Sequence, residues 1–449
     1  MLRIRKRQWS APGFALILGW LLASPSSWAQ TMSTMSTPPT ADTLRFSLAQ
    51  VEQMFLDRNF QLLAQKYQID IAGAGVTQAG LHANPNVLFM TNLYNPNTNR
   101  VLPLRTPSQV DLNNQVYNSG YVQLQVQQLI QLAGKRSKLI ALAESNRSLA
   151  QLAFRELLRD LRYQLYSTYA NLYYDLKALM LFRSELARQQ RLADSYRVAL
   201  KSGGIAPFEV VRLDLANRDL QANTAHYQSQ IADEQATLRV LLRRGDDSFV
   251  YPISIPALRP VLPPVATALD SALAHRPDVA LTQEQITNAE RSLSLERARR
   301  TPNLTVGVDY ERYGNAYLNF IGLQLLMDVP IRNRNQGAIQ AAELTLKSVG
   351  VGLDNQRNLV KSDVLNAYDK LKAYYTLFNS RPPDTLNQSQ IQQIATDATR
   401  LYNARTIGLL DYLDKIRVYQ QAQLNDINLE NNLFQSQQLL NYATNTRFF

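Results

Sequence analysis

The chain carries one long unit twice. Residues 59–87 align without a gap on residues 276–304, an offset of 217, and the two copies close on Asn84-Pro85-Asn86-Val87 and Thr301-Pro302-Asn303-Leu304. After a loop, 121–126 matches 320–325 and 140–144 matches 339–343, both at an offset of 199. Duplication on this scale implies internal pseudosymmetry, so function is to be sought in architecture before catalytic clusters.

Residues 1–29 read as a secretory signal peptide, with Arg3, Arg5, Lys6 and Arg7 ahead of an apolar run over 14–22 and Ser27-Trp28-Ala29 before cleavage at Gln30. That run is too short to cross a bilayer, and no later stretch approaches the roughly 20 apolar residues of a spanning helix. Removing four basic and no acidic residues lowers the formal charge from +11 to +7, and an exported chain is a poor partner for nucleic acid. The chain has no cysteine, which excludes disulfides, thiolate metal sites and a lipid anchor on an N-terminal cysteine. His82, His226 and His275 form no pair at ligand spacing. Neither a metal centre nor a Ser-His-Asp triad is expected, and no cofactor or enzymatic activity is indicated.

Each half reads helix, strand, strand, helix, helix. A linker over 30–44 precedes repeat 1 (45–251), a Pro-rich linker covers 252–264, and repeat 2 follows (265–449). The first helix opens at Ser47, with Gln50 completing a capping-box pattern, and is expected to continue to about Leu81. Its counterpart is expected to run unbroken from near Thr267 to before Pro302. The hairpins fall at about 86–130 and 303–328. There the period changes to two: Val122, Leu124 and Val126 alternate with Gln123, Gln125 and Gln127, and Leu304, Val306, Val308 and Tyr310 with Thr305, Gly307, Asp309 and Glu311. Such strands suit a surface sheet packed on a core. They equally suit a membrane barrel with lipid outside and water inside, in which Phe89, Tyr94, Tyr117, Tyr121, Tyr310, Tyr313 and Phe320 would mark the interfaces. Four strands cannot close around a channel, so a barrel needs several chains. The first hairpin loop, 95–116, is 18 residues longer than the second and polar, which suits the exposed side of a membrane.

The helical arms cover 134–243 and 333–445. Residues 136–202 contain no proline, and Leu158, Leu161, Leu165, Tyr169, Leu172, Leu176 and Leu179 recur at alternating steps of three and four, the spacing of a coiled coil. Ser202-Gly203-Gly204 turns the first arm and Arg405 to Gly408 the second, at an offset of 202. Arg381-Pro382-Pro383-Asp384 is expected to split the second descending arm into two pieces.

Three signatures make the chain resemble the TolC family of outer membrane efflux proteins over nearly its whole mature length. They are Gln78-Ala79-Gly80-Leu81 leading to Asn84-Pro85-Asn86, with its echo at Thr301; the junctions Leu132-Ala133-Gly134-Lys135-Arg136 and Asn333-Arg334-Asn335-Gln336-Gly337; and the two tips. The junctions look closest to the heavy-metal (CzcC-like) branch. The resemblance implies a mainly α fold with a membrane β-barrel portion and long antiparallel coiled-coil arms. Each protomer of a homotrimer would give four strands to a twelve-stranded barrel in outer-membrane lipid. It further implies docking to a periplasmic adaptor and to an inner-membrane pump, an RND proton antiporter in that branch, with cargo, metal cations included, passing through passively.

By the same resemblance, Asp411 and Asp414 match acidic rings at the periplasmic mouth, and Tyr402 and Glu209 are latch partners. The chain has Ile407 where the family often has a basic residue and Arg405 where it often has glycine, so Arg405 or Lys415 could supply the latch cation. On the residues alone, the carboxylates also suit solvated positions at helix starts. Gly203, Gly204, Ile205, Ala206, Val211, Ile407, Gly408, Leu409 and Leu413 are small or apolar and suit either an adaptor or packing within the arms. Two other functions share the sequence pattern: a type I secretion duct for polypeptides, and a periplasmic coiled-coil structural protein or adhesin.

Overall fold

The computed structural model describes residues 43–449 apart from 96–98, 103–108, 111–115, 118–119, 246–247, 259–260, 314–316 and 382–383. The signal peptide, most of the 30–44 linker, much of the 95–116 loop and the Pro382-Pro383 pair lie outside the described residues.

Strand β1 (Thr43–Phe46) leads into α1 (Leu48–Arg58) through the Ser47 capping box, whose backbone N–H donates to the Gln50 side chain at 2.8 Å. The expected single helix then breaks, and α2 (Phe60–Gly80) starts afresh. The cause is Asn59, extended at φ −62° and ψ 124°, whose Oδ1 accepts from the N–H groups of Gln61 and Leu62 at 2.9 and 3.0 Å. A short amide that satisfies the first orphan donors of a helix favours a new start over continuation.

Strands β2 (Asn86–Thr91) and β7 (Tyr121–Ile130) frame the first hairpin, with the short pairs β3 (Tyr94–Asn95) and β4 (Arg100–Val101), then β5 (Gln109–Val110) and β6 (Val116–Tyr117), in its loop. The first arm is α3 (Lys135–Lys201), returning as α4 (Pro207–Leu241). Strand β8 (Phe249–Pro252) pairs in parallel with β1. That small sheet was not expected, because it joins the margins of two segments read as linkers.

In the second half, α5 (Val265–His275) and α6 (Pro277–Arg299) replace the one expected helix. The break falls at Arg276, the aligned equivalent of Asn59, because Pro277 holds the residue before it in extended backbone and starts a helix well at its first position. Each breaker also reaches the same place in its own half. Asn59 donates to the carbonyl of Leu241 at 3.0 Å and Arg276 to that of Ala443 at 3.2 Å, positions related by the 202-residue offset of the tips. The duplication thus conserves an anchoring contact with two different side chains.

After β9 (Leu304–Tyr313) and β10 (Tyr317–Leu326), the second arm descends as α7 (Gln336–Asn379) and α8 (Asp384–Asn403), two pieces as expected at the proline pair, and returns as α9 (Leu409–Thr444). The coiled-coil spacing is realised: Leu161, Leu165, Tyr169, Leu172 and Leu179 are buried in one core cluster, and Leu158 and Leu176 pack against it.

The four long strands form one antiparallel sheet in the order β10-β9-β7-β2. Its register puts Val87 opposite Val126, Val126 opposite Val308, and Val308 opposite Leu323, so one face is apolar across all four strands. Among the described residues no helix covers that face: Phe89, Leu124, Ile321, Leu323 and Leu325 are all exposed, Leu323 at 71%. The opposite face is polar along β7 and β9, with Leu88 and Met90 added from β2. Gln125 and Gln127 both donate to Gln324 Oε1, at 2.5 and 2.7 Å, and a Cβ at Gly322 would stand 2.5 Å from the Asp309 carboxylate. Only glycine leaves that carboxylate its space.

Candidate functional site

The arms end in tips built alike. At the first, Gly203 takes the left-handed conformation (φ +74°), and the N–H groups of Gly203 and Gly204 close the helix on Leu200 and Ala199 at 3.0 Å each. At the second, Arg405 takes that conformation (φ +56°), while Arg405 and Thr406 donate to Tyr402 and Leu401, each at 2.9 Å. Both are Schellman closures, the second made at the steric cost of a non-glycine residue.

Between the tips an apolar cluster joins both arms: Ala193 and Leu213 from the first, Ala395, Ala398, Leu409, Tyr412 and Ile416 from the second. Leu409, at 5% exposed, is therefore packed inside the protomer and withheld from any partner. Ile205, Ile407 and Leu413 are half-buried, whereas Gly203, Gly204, Val211 and Gly408 are exposed. Sequence reasoning missed Phe208 and Leu215, which extend Val211 into an exposed apolar stripe on α4, and Leu410 on α9. Their i, i+3, i+7 spacing was the available signal. A groove of about 620 Å³ runs between α4 and α9, with Leu220 and Leu413 in its lining and Arg212, Asp219, Asp414 and Arg417 at hand.

Tyr402 is committed within its own chain. Its hydroxyl bonds that of Tyr196, and its ring stacks on Tyr412 at 4.6 Å. Burial first, then the Tyr196 hydroxyl, raises its pKa well above the ordinary phenol range, so it acts only as a neutral hydrogen-bonding group. Asp414 pairs with Arg417 at 2.9 Å, one turn on. Asp411 is exposed in the first turn of α9, and Glu209 is half-buried in the first turn of α4, each favoured by its helix dipole. Arg405 and Lys415 are exposed and make no ion pair among the described residues. Arg197, unmarked by any motif, bridges Asp194 and Asp214 at 2.8 and 2.5 Å and ties α3 to α4 near the tip.

Two acidic sites higher up were invisible in sequence. Asp278 is held by Arg276, by Arg159 at 3.3 Å and by Gln356 at 2.9 Å. Asp175 on α3 and Glu234 on α4 share a proton: burial first, then the Asp175 carboxyl, pushes Glu234 up to about 9, and burial raises Asp175 as well. A carboxyl whose folded pKa lies above its unfolded one binds a proton that unfolding releases. Its stabilisation is full below the unfolded value and is lost as pH rises towards 9. Glu234→Gln is therefore expected to match the parent at pH 5 and to exceed it by roughly 1–2 kcal/mol at pH 8.5. Urea midpoints at the two pH values measure this, and an unchanged slope in the variant would remove the shared proton.

Among the described residues no group of His, Asp and Glu could hold a metal ion, and no helix is long and apolar enough to cross a membrane. No family model matches the chain. It is 24% identical over 378 residues, 82% of each chain, to the cobalt-zinc-cadmium resistance protein CzcC of Cupriavidus metallidurans. Among solved structures, it superposes on the outer membrane channel CmeC of Campylobacter jejuni with a TM-score of 0.71 at 14% identity, covering 89% of this chain and 86% of that one. The outer membrane protein VceC of Vibrio cholerae gives 0.67 at 15%, covering 90% and 97%.

Long paired helical arms below a two-faced sheet are the fold that this chain shares with solved outer membrane channels such as CmeC. The chain has the TolC-family channel fold, as the resemblance read from its sequence implies, with the heavy-metal branch represented by CzcC.

Proposed function

We propose that three copies of this chain form an outer-membrane channel that serves as the exit duct of a tripartite efflux system. The observation that carries this reading is the sheet, which is apolar and uncovered on one face, hydrogen-bonded and polar along its central strands on the other, with β2 and β10 left as open edges. In water, open edges and a bare apolar face are liabilities; in lipid, every edge must be paired. Joining β10 of one copy to β2 of the next closes twelve strands around a polar lumen. Tyr121 and Tyr313, ring to ring at 5.6 Å, share the polar face with Gln123 and would then stand at the end of the lumen.

The arms extend into the periplasm, where the exposed stripe on α4 and the groove beside α9 are the surfaces offered to a helical adaptor. The family likeness supports an RND pump as the inner-membrane partner, and the relative named for cobalt, zinc and cadmium resistance supports divalent metal cations as cargo. Outer-membrane fractionation, heat-modifiable migration and single-channel recording test the reading, and a chain found wholly in the soluble fraction would overturn it.

Three copies of Asp411 and Asp414 about one axis would attract cations and repel one another. Asp411→Ala with Asp414→Ala is expected to lower cation preference about two- to threefold in planar bilayers. Unchanged conductance and selectivity would return these carboxylates to a role as helix-start residues.

A further inference from the structure

The lower end of the sheet carries a feature that the channel reading does not use. The outward face of β10 continues below the strand through Met327, Val329 and Ile331, all exposed, the last at 73%. Directly beyond stand Arg332 and Arg334, and beside them Arg299 and Arg300 at the end of α6. A cavity of about 930 Å³ opens here, lined by Lys135, Arg299, Arg300, Arg332, Val329 and Ile331.

The charges at this collar are unbalanced. Arg299 is paired with Glu296 at 2.5 Å, and Lys135 is spent on Thr301 O and on Asn303 Oδ1 at 2.6 Å. Arg300, Arg332 and Arg334 are exposed and have no carboxylate within ion-pair distance among the described residues, and Asp328 is the one acid among the residues that line the cavity. Helix polarity adds to the field. The 67-residue α3 and the 44-residue α7 both begin at this level, and neither Gly134 nor Asn335 caps its helix with a side chain, so both positive helix ends stay open. Asn335 turns its amide to Glu296 instead, at 2.7 Å.

Cations and helix N-termini under an apolar belt present one chemistry: a phosphate diester whose acyl chains lie against the belt. We propose that this collar binds the headgroup of an anionic glycerophospholipid from the leaflet facing the arms. The phosphate sits among Arg300, Arg332 and Arg334, and the chains run up along Ile331, Val329 and Met327. The inference rests on the barrel reading, which places these side chains at headgroup depth. It adds a lipid requirement where no lipid anchor is expected.

The test uses the full chain purified in dodecyl maltoside, with radiolabelled phosphatidylglycerol or phosphatidylcholine added to the micelles. The parent is expected to retain phosphatidylglycerol about tenfold better than phosphatidylcholine, with excess inorganic phosphate failing to displace it. Arg300→Gln, Arg332→Gln and Arg334→Gln together bring the two lipids to parity, whereas the three Arg→Lys changes preserve the preference. Parity in the parent, a preference that survives the glutamine variant, or ready displacement by inorganic phosphate overturns the proposal. Heat-modifiable migration of the same samples separates the two layers: an intact oligomer with parity removes the lipid site alone, and a parent that forms no membrane oligomer removes the barrel and the lipid site with it.

Discussion

Asp278→Ala is expected to lower the unfolding free energy by about 3–5 kcal/mol, the usual cost of removing one partner from a buried ion pair. Asp278 lies at the start of α6 and collects donors from four sources. Arg276 Nε and a terminal guanidinium nitrogen approach its two oxygens at 3.0 and 2.6 Å, Arg159 reaches Oδ1 at 3.3 Å, Gln356 reaches Oδ2 at 2.9 Å, and the Val279 N–H reaches Oδ1 at 3.0 Å. The side chains of Arg276 and Arg159 are 4% and 7% exposed, so alanine would leave two buried guanidinium groups with only the half-exposed Asp363 and Asp160 as carboxylate partners. Asp363 cannot compensate. It meets Arg276 at 3.1 Å but is itself half in solvent. The loss would loosen the joint between α5 and α6 and the anchor of Arg276 on the end of α9, which together set where the second arm leaves the body.

The same site predicts a pH dependence of defined sign. Burial alone would raise the Asp278 carboxyl, but the Arg276 hydrogen bonds and the Arg159 and Arg276 charges outweigh it, and its pKa is lowered. A carboxylate depressed in the fold stabilises fully above its unfolded value, near 3.9, and the contribution disappears as pH falls through the folded value. Asp278 therefore weakens the fold on the acid side, while Glu234 weakens it on the alkaline side. Urea midpoints of the parent and of Asp278→Asn should converge as pH drops below about 4. If they stay apart by a constant amount, the carboxylate's charge is not what the network uses.

The second large effect belongs to the sheet. Leu323→Arg places a cation on the outward face near the middle of β10, which in a bilayer costs about 2–4 kcal/mol per chain, repeated in each copy of an oligomer. On a water-exposed surface the same change is worth no more than about 0.5 kcal/mol. The neighbouring Gln324→Arg, on the polar face where Gln125 and Gln127 already converge, is expected to leave assembly intact. Outer-membrane yield and heat-modifiable migration read both variants in one experiment. Loss with Leu323→Arg and retention with Gln324→Arg is the signature of lipid outside and water inside. Equal assembly of the two would sink the barrel.

Much of this was legible because the governing patterns are local. The step of three and four from Leu158 to Leu179 is a property of one helix, and it places the same side chains in the core wherever the helix docks. The alternation in 121–127 and 304–311 is a property of single strands, and pairing only aligned faces already two-sided. The breaks at Asn59 and Arg276 were not anticipated. Asn59 sits inside a run of good helix formers, whereas Pro277 stands as a visible breaker beside Arg276, and each break is held by a contact with the far end of its half, at Leu241 or Ala443.

The tip divides in the same way. Gly203 and Arg405 were recognisable as equivalent turn positions by the offset between the arms, and both take the left-handed conformation. Whether Tyr402 was free or engaged was not recognisable. Its partner Tyr196 lies on the other arm, 206 residues earlier, and no spacing rule connects them. Leu409 suits either an adaptor or packing within the arms on its residue type alone, and the crossing of the arms buries it.

The sequence by itself determined the duplicated plan, the coiled-coil arms, the turns at their ends and the two chemistries of the strands, since each follows from periodicity or backbone preference within a short window. Only the tertiary structure decided which side chains of the tip stay available to a partner, where the helices break, and how Asp278 and the Asp175–Glu234 pair titrate. Those properties depend on charges and packing surfaces brought together from distant segments, whose energies exist only once burial has removed the water between them.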